Sequence, residues 1–474
     1  MSFALGKAAL LTVLGVLGVS VPHAQRARAQ RLRSGDDTPT VSRASQPPSR
    51  QAPGELPPVL LTTPAYYGTL AAVRSLGRGA VPVTTAGPSP WAISGWSKYA
   101  STHVSCPATT DTDAFVSWLE TFGREQREKH VLLPTCDDTA WLYARYRERL
   151  ARYFHMGVAG IETIHALLHK GRLAEHAREV GLDVPRTWFP ASDDDLRRLA
   201  REATFPVLIK PVTQVLFSSR NKGNRVERPE HLLPDYAEAS QDRHGAAIVD
   251  YDPTSARPMV QEFFPGASSG IYNISSYAQD GKLWGARAGR KILQRPRRLG
   301  VGVCFEEAPL DRHLVEKLEL LVQRVGFSGV FEAEFVKQDD RSVLIDFNPR
   351  FYNQMGFDVA RGLPLPLLAY FGALPRERAQ ATSQTAVSAQ DLTGQVFTYG
   401  AAFRVMVTSQ RLSGAFSAEE AERWLTWYEA HEGRRVDAVS DPDDRWPGRI
   451  DLVQMLHRHA RHPRDFLRSI VLNR

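Results

Sequence analysis

Three cysteines in 474 residues, Cys106, Cys136 and Cys304, are too few and too scattered for a disulfide framework, and none has the CxxC or Cys/His spacing of a zinc site. They read as free buried thiols in a reducing compartment. Cys304 lies in the apolar run Gly302-Val-Cys-Phe305 with no base-bearing motif beside it, so it reads as core rather than nucleophile. No Ser/His/Asp or Cys/His arrangement stands out, which leaves covalent catalysis by a protein nucleophile without support. The dinucleotide fingerprint G-x-G-x-x-G is also missing, because Tyr66-Tyr67-Gly68 occupies the first strand-to-helix turn. A net charge of +7 comes without any basic run interleaved with aromatics, so nucleic acid is not an expected partner.

Long uncharged apolar runs are scarce as well. Residues 3–21 are apolar but interrupted by Lys7 and followed by Arg26, Arg28, Arg31 and Arg33. With about 14 to 19 apolar residues against the roughly 20 a bilayer requires, the segment reads as a signal, a marginal anchor or an over-extended start. The downstream arginines favour the cytoplasmic side, so the expected location is the cytoplasm, with residues 3–21 as a weak tether to the inner face of the membrane. Residues 25–56, rich in Pro, Ser and polar side chains, read as a disordered linker after a 1–24 hydrophobic segment.

What is present is an ordinary globular composition, 43% hydrophobic and 23% charged, over a length ample for more than one core. Val59–Thr63 reads as a buried strand, Thr69–Leu76 as a helix ended by Gly77, and Ala80–Thr84 as a second strand. This β-α-β unit predicts a parallel sheet. A helix at Asp111–Arg127 and a strand at His130–Pro134 follow, with Cys136-Asp137-Asp138 at the strand's carboxyl end. Further on, a short helix ends near Lys170, and Phe205–Lys210 is a strand whose apolar Val207 and Ile209 face one side and whose terminal Lys210 faces the other. A lysine closing a buried strand suits a phosphate, although alone it also fits a snorkelling surface residue. Pro258–Gly266 is a strand running into a turn, and Gln279-Asp280-Gly281 joins two more strands as a hairpin.

The stretch Gly329–Arg350 carries the chemistry. Two strand-like runs flank Asp339-Asp340-Arg341-Ser342, and Asp346 and Asn348 alternate with apolar residues, so they share one face. If the turn holds an odd number of residues, Glu334 stands directly opposite one of them, with Cβ atoms roughly 5 Å apart. A strand carboxylate is most often a solvated outer-face residue. Two carboxylates and an amide oxygen on one point, however, form a set of hard donors suited to Mg²⁺ (or Mn²⁺), which is usually completed by substrate phosphates.

Taken in order, Lys170, Ile209-Lys210-Pro211, Val260-Gln-Glu-Phe-Phe-Pro-Gly266, Glu334-Phe335 and Asp346-Phe-Asn-Pro-Arg350 resemble the ATP-grasp superfamily, nearest its carbamoyl-phosphate-synthase-like and D-aspartate-ligase-like carboxylate-amine ligases. The resemblance covers roughly residues 57–372. It implies a Rossmann-like pre-ATP-grasp domain at 57–163, a two-subdomain α+β ATP-grasp fold at 164–372, and a helical C-terminal region at 373–474. It further implies that Lys170, Lys210 and Lys222 contact ATP phosphates, that Gln261, Glu262 and the Phe264 backbone line the adenine site, and that Glu334, Asp346 and Asn348 hold Mg²⁺. Arg350, Arg287 and Lys291 would meet the transferred phosphate or the substrate carboxylate, Arg290 being a further candidate on the same strand. The implied activity joins a small-molecule carboxylate to an amine through an acyl-phosphate.

Three departures stand out. The loop Val212–Arg225 has a single glycine, Gly223. The second metal carboxylate is Asp346 where Glu is usual, and Ala267-Ser268-Ser269 stand where a ribose-binding acid is expected. They keep open an alternative, a non-catalytic ATP-binding or regulatory protein with the same fold. A biotin-carboxylase-like reading finds no Met-Lys-Met carrier motif. In the tail, helices are expected at Ala418–Ala430 and Leu452–His462, with a last apolar run at Phe466–Val471. His457, His459 and His462 read as a solvated helix face and receive no chemistry.

Overall fold

Val59–Thr62 (β1) is buried at every position and pairs in parallel with Val83–Gly87 (β2) and His130–Leu132 (β4). Thr102–Ser105 (β3) and Phe154–Met156 (β5) complete a five-stranded parallel sheet of order β3-β2-β1-β4-β5. The structure, a computed structural model, describes residues 56–219, 223–268, 270–295, 301–338, 340–375 and 392–461, the last apart from positions 413 and 415. The segments 1–55 and Phe466–Val471, and with them Lys222, His459 and His462, lie outside what is described of chain or side chain. Among the described residues no helix is long and apolar enough to cross a membrane.

Two local expectations shift. The first helix runs from Tyr67 to Arg78 and is capped by Gly79, so Gly77 lies inside it, and β2 begins three residues later than Ala80, whose φ of +61° makes it a turn residue. The helix Thr112–Glu125 agrees with the predicted one, with the Asp111 carboxylate accepting from the Ala114 amide as its N-cap.

Beyond the parallel sheet, Thr187–Trp188 (β6), Val207–Lys210 (β7), Asn224–Val226 (β8) and Met259–Glu262 (β9) form an antiparallel sheet of order β6-β9-β7-β8. It has its own core of Leu196, Leu199, Val207, Ile209, Val226, Leu232, Tyr236 and Val260.

The largest sheet is built from Ile271–Gln279 (β10), Lys282–Arg295 (β11), Val301–Glu307 (β12), Gly329–Gln338 (β13) and Arg341–Asn348 (β14), extended by Val396–Thr398 (β15) and Arg435–Asp437 (β16). Its order is β14-β13-β10-β11-β12-β15-β16. Asp280 and Gly281, at φ +52° and +75°, make the tight turn expected between β10 and β11. One face of this sheet is sealed by Phe331, Phe335 and Phe347, with Phe331 and Phe347 stacked 4.8 Å apart.

The C-terminal region is mainly helical, with helices Gly400–Leu412, Ala418–Ala430 and Arg445–Arg461, the last starting seven residues before the predicted Leu452. It is not only helical, since β15 and β16 continue the seven-stranded sheet. The tail also grips the parallel sheet. Arg74, 6% exposed, donates from Nε to Asp444 at 2.9 Å and from Nη2 to the Val439 carbonyl at 2.7 Å. Asp444 in turn accepts from the Ser97 hydroxyl and the Lys98 amide.

All three cysteines are free and buried, and burial pushes the Cys106 and Cys136 thiols up to about 12. Cys304, wholly buried, is core as expected.

Candidate functional site

The β13/β14 hairpin sets the geometry. Gln338 pairs with Arg341, leaving two residues between them, an even number. Continued unbroken, that register would place Asp346 opposite Ala333, on the aromatic core face. Instead the ladder slips by one between Glu334 and Phe335: Phe335 pairs with Leu344 and Glu334 with Asp346, so Ile345 is an extra residue in β14. This bulge supplies the odd count that the turn lacks and swings both Asp346 and Asn348 to the face of Glu334. Asn348 then stands opposite Glu332.

The cleft between the four-stranded and the seven-stranded sheet has a volume of about 740 Å³. Lys170, Lys210, Gln261, Glu262, Phe264, Lys291, Glu334, Asp346, Asn348 and Arg350 all line it. The structure thus brings together ten of the residues singled out in the sequence. Lys170 is the first residue of the helix Lys170–Glu179, held by its amide on the Val212 carbonyl and by the His169 ring, which accepts from the Gly171 and Arg172 amides. Its Nζ donates to Asp346 Oδ1 at 2.7 Å. Lys291 Nζ donates to Glu334 Oε1 at 3.0 Å, with the lysine side chain only 7% exposed. Lys210, on the opposite wall, donates to Gln261 Oε1 at 3.3 Å, and Gln261 donates onward to Thr187. Beside Gln261, the Arg225 guanidinium lies 4.2 Å from the Phe263 ring centre and pairs with Glu227.

Arg287 falls elsewhere. It is 2% exposed, two rows from Lys291 on β11, and its Nε and Nη2 both donate to the Arg361 carbonyl. It does not line the cleft. Arg290 points to the other face and pairs with Glu306.

Arg350 joins two parts of the molecule. Its Nη2 donates to Asn348 Oδ1 at 2.7 Å and its Nε to Asp137 Oδ1 at 2.8 Å. Asp137 opens the helix Asp137–Arg145 just beyond β4, so the carboxyl edge of the parallel sheet meets the cleft here, where ligands of open α/β sheets bind. Tyr66, from the turn after β1, and Asn353 line the same end. The neighbouring Asp138, whose carboxyl burial pushes up, is held by the Leu216 amide and the Thr109 hydroxyl.

Glu332 was not picked out in the sequence. It is 3% exposed and accepts from the side-chain amides of Asn273, Asn348 and Gln354. Burial, reinforced by Glu334, pushes its carboxyl well up. By accepting from Asn348 Nδ2 it leaves Asn348 Oδ1 turned toward Arg350, which fixes the amide's orientation. The signal for it lay in the alternation Glu332-Ala-Glu334 between Phe331 and Phe335. Asp137 also had a visible signal, its place just past a predicted parallel strand.

Among the described residues no three His, Cys, Asp or Glu side chains converge on one point. The candidate metal set is therefore two carboxylates in register plus the Asn348 amide oxygen. These hard oxygen donors fit Mg²⁺ sharing its coordination with phosphates. A second buried oxygen, Asn273 Oδ1, stands in the same row opposite Glu334 with no hydrogen-bond partner. Gly289 across from it keeps that space open, since a Cβ there would lie 2.8 Å from Asn273 Oδ1.

No protein-family model matches the chain. Among curated proteins it is similar to the carbamoyl phosphate synthase large chain of Paenarthrobacter aurescens, 20% identical over 301 residues. That match covers 61% of this chain and 24% of the other, so the chain spans about a quarter of that relative's length. Among solved structures it resembles the biotin carboxylase domain of Hydrogenobacter thermophilus 2-oxoglutarate carboxylase in complex with MgADP, ADP and bicarbonate (TM-score 0.54, 13% identity, 66% of this chain and 69% of that one). It also resembles an L-amino acid ligase from Bacillus licheniformis (TM-score 0.52, 14% identity, 70% and 78%) and N5-carboxyaminoimidazole synthetase from Staphylococcus aureus (TM-score 0.51, 12% identity, 67% and 78%). These likenesses agree with the parallel sheet, the two antiparallel sheets and the cleft between them: the chain has the ATP-grasp fold.

Proposed function

We propose that this protein is an Mg²⁺-dependent ligase that uses ATP to join a carboxylate to an amine-type nucleophile. The observation that carries the reading is the in-register pair Glu334 and Asp346 on the floor of a cleft whose other wall supplies Lys210 and Gln261. The likeness to structures of an amino acid ligase and of a carboxylase in complex with MgADP supports the same reading.

In this account the nucleotide base lies between β9 and the large sheet, against Gln261, Glu262 and Phe264, with its phosphates directed to Lys210, Lys170 and Lys291. The lysine ammonium groups neutralise charge that develops on the transferred phosphoryl group. Mg²⁺ held by Glu334, Asp346 and Asn348 would add charge neutralisation across the phosphate oxygens. An oxygen of the substrate carboxylate attacks the γ-phosphorus, the bond to the β-phosphate oxygen breaks, and ADP leaves with that electron pair. The amine then attacks the acyl carbon, inorganic phosphate departs with the C–O electron pair, and the nitrogen loses a proton.

Arg350, oriented by Asp137 and Asn348, stands where the metal floor meets the carboxyl edge of the parallel sheet, so it is assigned to the transferred phosphate or the substrate carboxylate. None of these steps requires a protein nucleophile, in keeping with the buried state of every cysteine.

The test is ADP and phosphate release from ATP across a panel of carboxylates and amines, with Glu334→Ala and Asp346→Ala as controls. Release that depends on one acid and one amine and vanishes in both variants is expected. Tight ATP binding without turnover for any acceptor would point to the non-catalytic alternative.

A further inference from the structure

Each of the two carboxylates assigned to the metal already carries an ammonium group of this chain: Lys291 on Glu334 at 3.0 Å and Lys170 on Asp346 at 2.7 Å. The Lys291–Glu334 pair is largely buried, its side chains 7% and 16% exposed, whereas in the other pair Lys170 is 13% and Asp346 38% exposed, so solvent screens the second pair more than the first. The two lysines come from unrelated parts of the fold, one from β11 and one from the start of a helix that precedes the four-stranded sheet. Lys291 has a built path to its partner. A Cβ at Gly302 would run into the Phe305 ring and lie 2.7 Å from Lys291 Cδ, so the glycine there leaves room for both the ring and the lysine stem.

Resting on the assignment of this cleft to a metal and a nucleotide, we infer that Lys170 and Lys291 are built-in counter-ions of the metal carboxylates and that metal and nucleotide consequently bind with positive coupling. The two carboxylates and two ammonium groups sum to zero. A divalent cation entering alone would displace both ammonium groups and leave them, with the cation, as uncompensated positive charge in a partly buried cleft. A triphosphate removes that penalty, because it accepts both lysines as charge-assisted donors while its oxygens complete the metal's coordination. Coupling of this kind is reciprocal: the metal must strengthen nucleotide binding by the same factor.

The experiment follows Mn²⁺ as a paramagnetic stand-in, titrated into the full chain alone and together with a non-hydrolysable β,γ-methylene ATP analogue, in wild type, Lys291→Met, Lys170→Met and Lys291→Arg. Wild type should bind Mn²⁺ at least about tenfold more tightly with the analogue than without it. Each methionine variant should bind Mn²⁺ alone at least about fivefold more tightly than wild type and show a smaller effect of the analogue. Lys291→Arg, which keeps the charge, should bind Mn²⁺ alone as weakly as wild type. Thermal melts verify that each variant is folded.

Methionine variants whose affinity for Mn²⁺ alone is unchanged, or a wild type that binds Mn²⁺ equally with and without the analogue, would overturn the counter-ion role while leaving the metal site standing. Absence of Mn²⁺ binding under both conditions would overturn the site assignment itself.

Discussion

Glu334 faces Asp346 because a residue that belongs to neither partner bulges out of the ladder: Ile345, the extra residue of β14, rotates the strand so that Asp346 leaves the face of Phe331 and Phe335 and joins that of Glu334. The pair is thus a product of strand register. Replacing either member by its amide, Glu334→Gln or Asp346→Asn, keeps the shape and removes the charge. Metal-dependent ADP release should fall by about 10² or more in either variant, as for other losses of focused charge at a phosphoryl-transfer site. Steady-state assays over a Mg²⁺ series check this, with circular dichroism confirming the fold.

Deleting Ile345 should leave the pair standing. Without it Leu344 stays opposite Phe335 and Asp346 follows directly opposite Glu334, so the ladder closes without a slip and both carboxylates keep their face. Retained metal-dependent ADP release with a modest drop in melting temperature is the expected result, read by steady-state assays and thermal melts.

Glu332→Gln tests the support beneath the metal set. The new amide turns a donor toward the Asn273, Asn348 or Gln354 amide groups, which already donate to this side chain, so Asn348 loses its fixed orientation. The KM for Mg²⁺ should rise by about 10- to 100-fold, the range for losing an outer-shell partner, with a smaller change in KM for ATP. Equal changes in both would argue against a role directed at the metal.

His169 gives a pH dependence. Burial holds its imidazole down to about 4 from an ordinary 6.5, so the folded protein keeps it neutral where the unfolded chain is protonated. The folded state then binds fewer protons, and stability declines as pH falls from about 6.5 towards 4, by about 3 kcal/mol at most from this group. His165, lowered chiefly by burial as well, acts in the same direction. Protonation would also turn Nδ1 from acceptor to donor and release the cap on the helix that begins at Lys170. Melting temperatures measured between pH 7.5 and 4.5 should fall, and His169→Asn, which retains a capping oxygen, should flatten the curve.

Arg74→Ala should destabilise the protein by about 3 to 5 kcal/mol, because Asp444, 1% exposed, would be left as a buried charge with its guanidinium gone. Denaturant midpoints for Arg74→Ala, Asp444→Ala and the double variant form a cycle in which the double costs less than the sum.

Much of this was legible in the sequence, for reasons that differ by residue. Strands β1 and β4 were legible because Val59–Leu61 and Val131–Leu133 are short apolar runs punctuated by turns, whereas β2, Val83-Thr-Thr-Ala-Gly87, is mixed and begins three residues later than expected. Lys210 was legible because it closes the apolar run Val207-Leu-Ile209, and Asp346 and Asn348 because they share a parity. Their parity with Glu334 was not, since a bulge at Ile345 has no signature in a run such as Val343-Leu-Ile345. Arg287 misled for a related reason: it shares a face with Lys291, but strand parity does not say how far along the sheet the cleft extends, and the Arg361 carbonyl claims it. The tail's two strands were hidden by brevity, Val396–Thr398 and Arg435–Asp437 being too short to show a period.

The separate core of the four-stranded sheet bears on how the two walls of the cleft are supported. The seven-stranded sheet shares buried side chains with the parallel sheet, Tyr277 and Val330 packing with Val59, Leu61 and Val131, and the Arg74–Asp444 pair fastens the tail to the same body. Leu196, Val207, Val226, Leu232 and Val260 pack instead among themselves. Of the two walls, the one bearing Lys210 and Gln261 therefore rests on a core of its own, whereas the one bearing Glu334 and Asp346 is packed into the body that holds the parallel sheet and the tail.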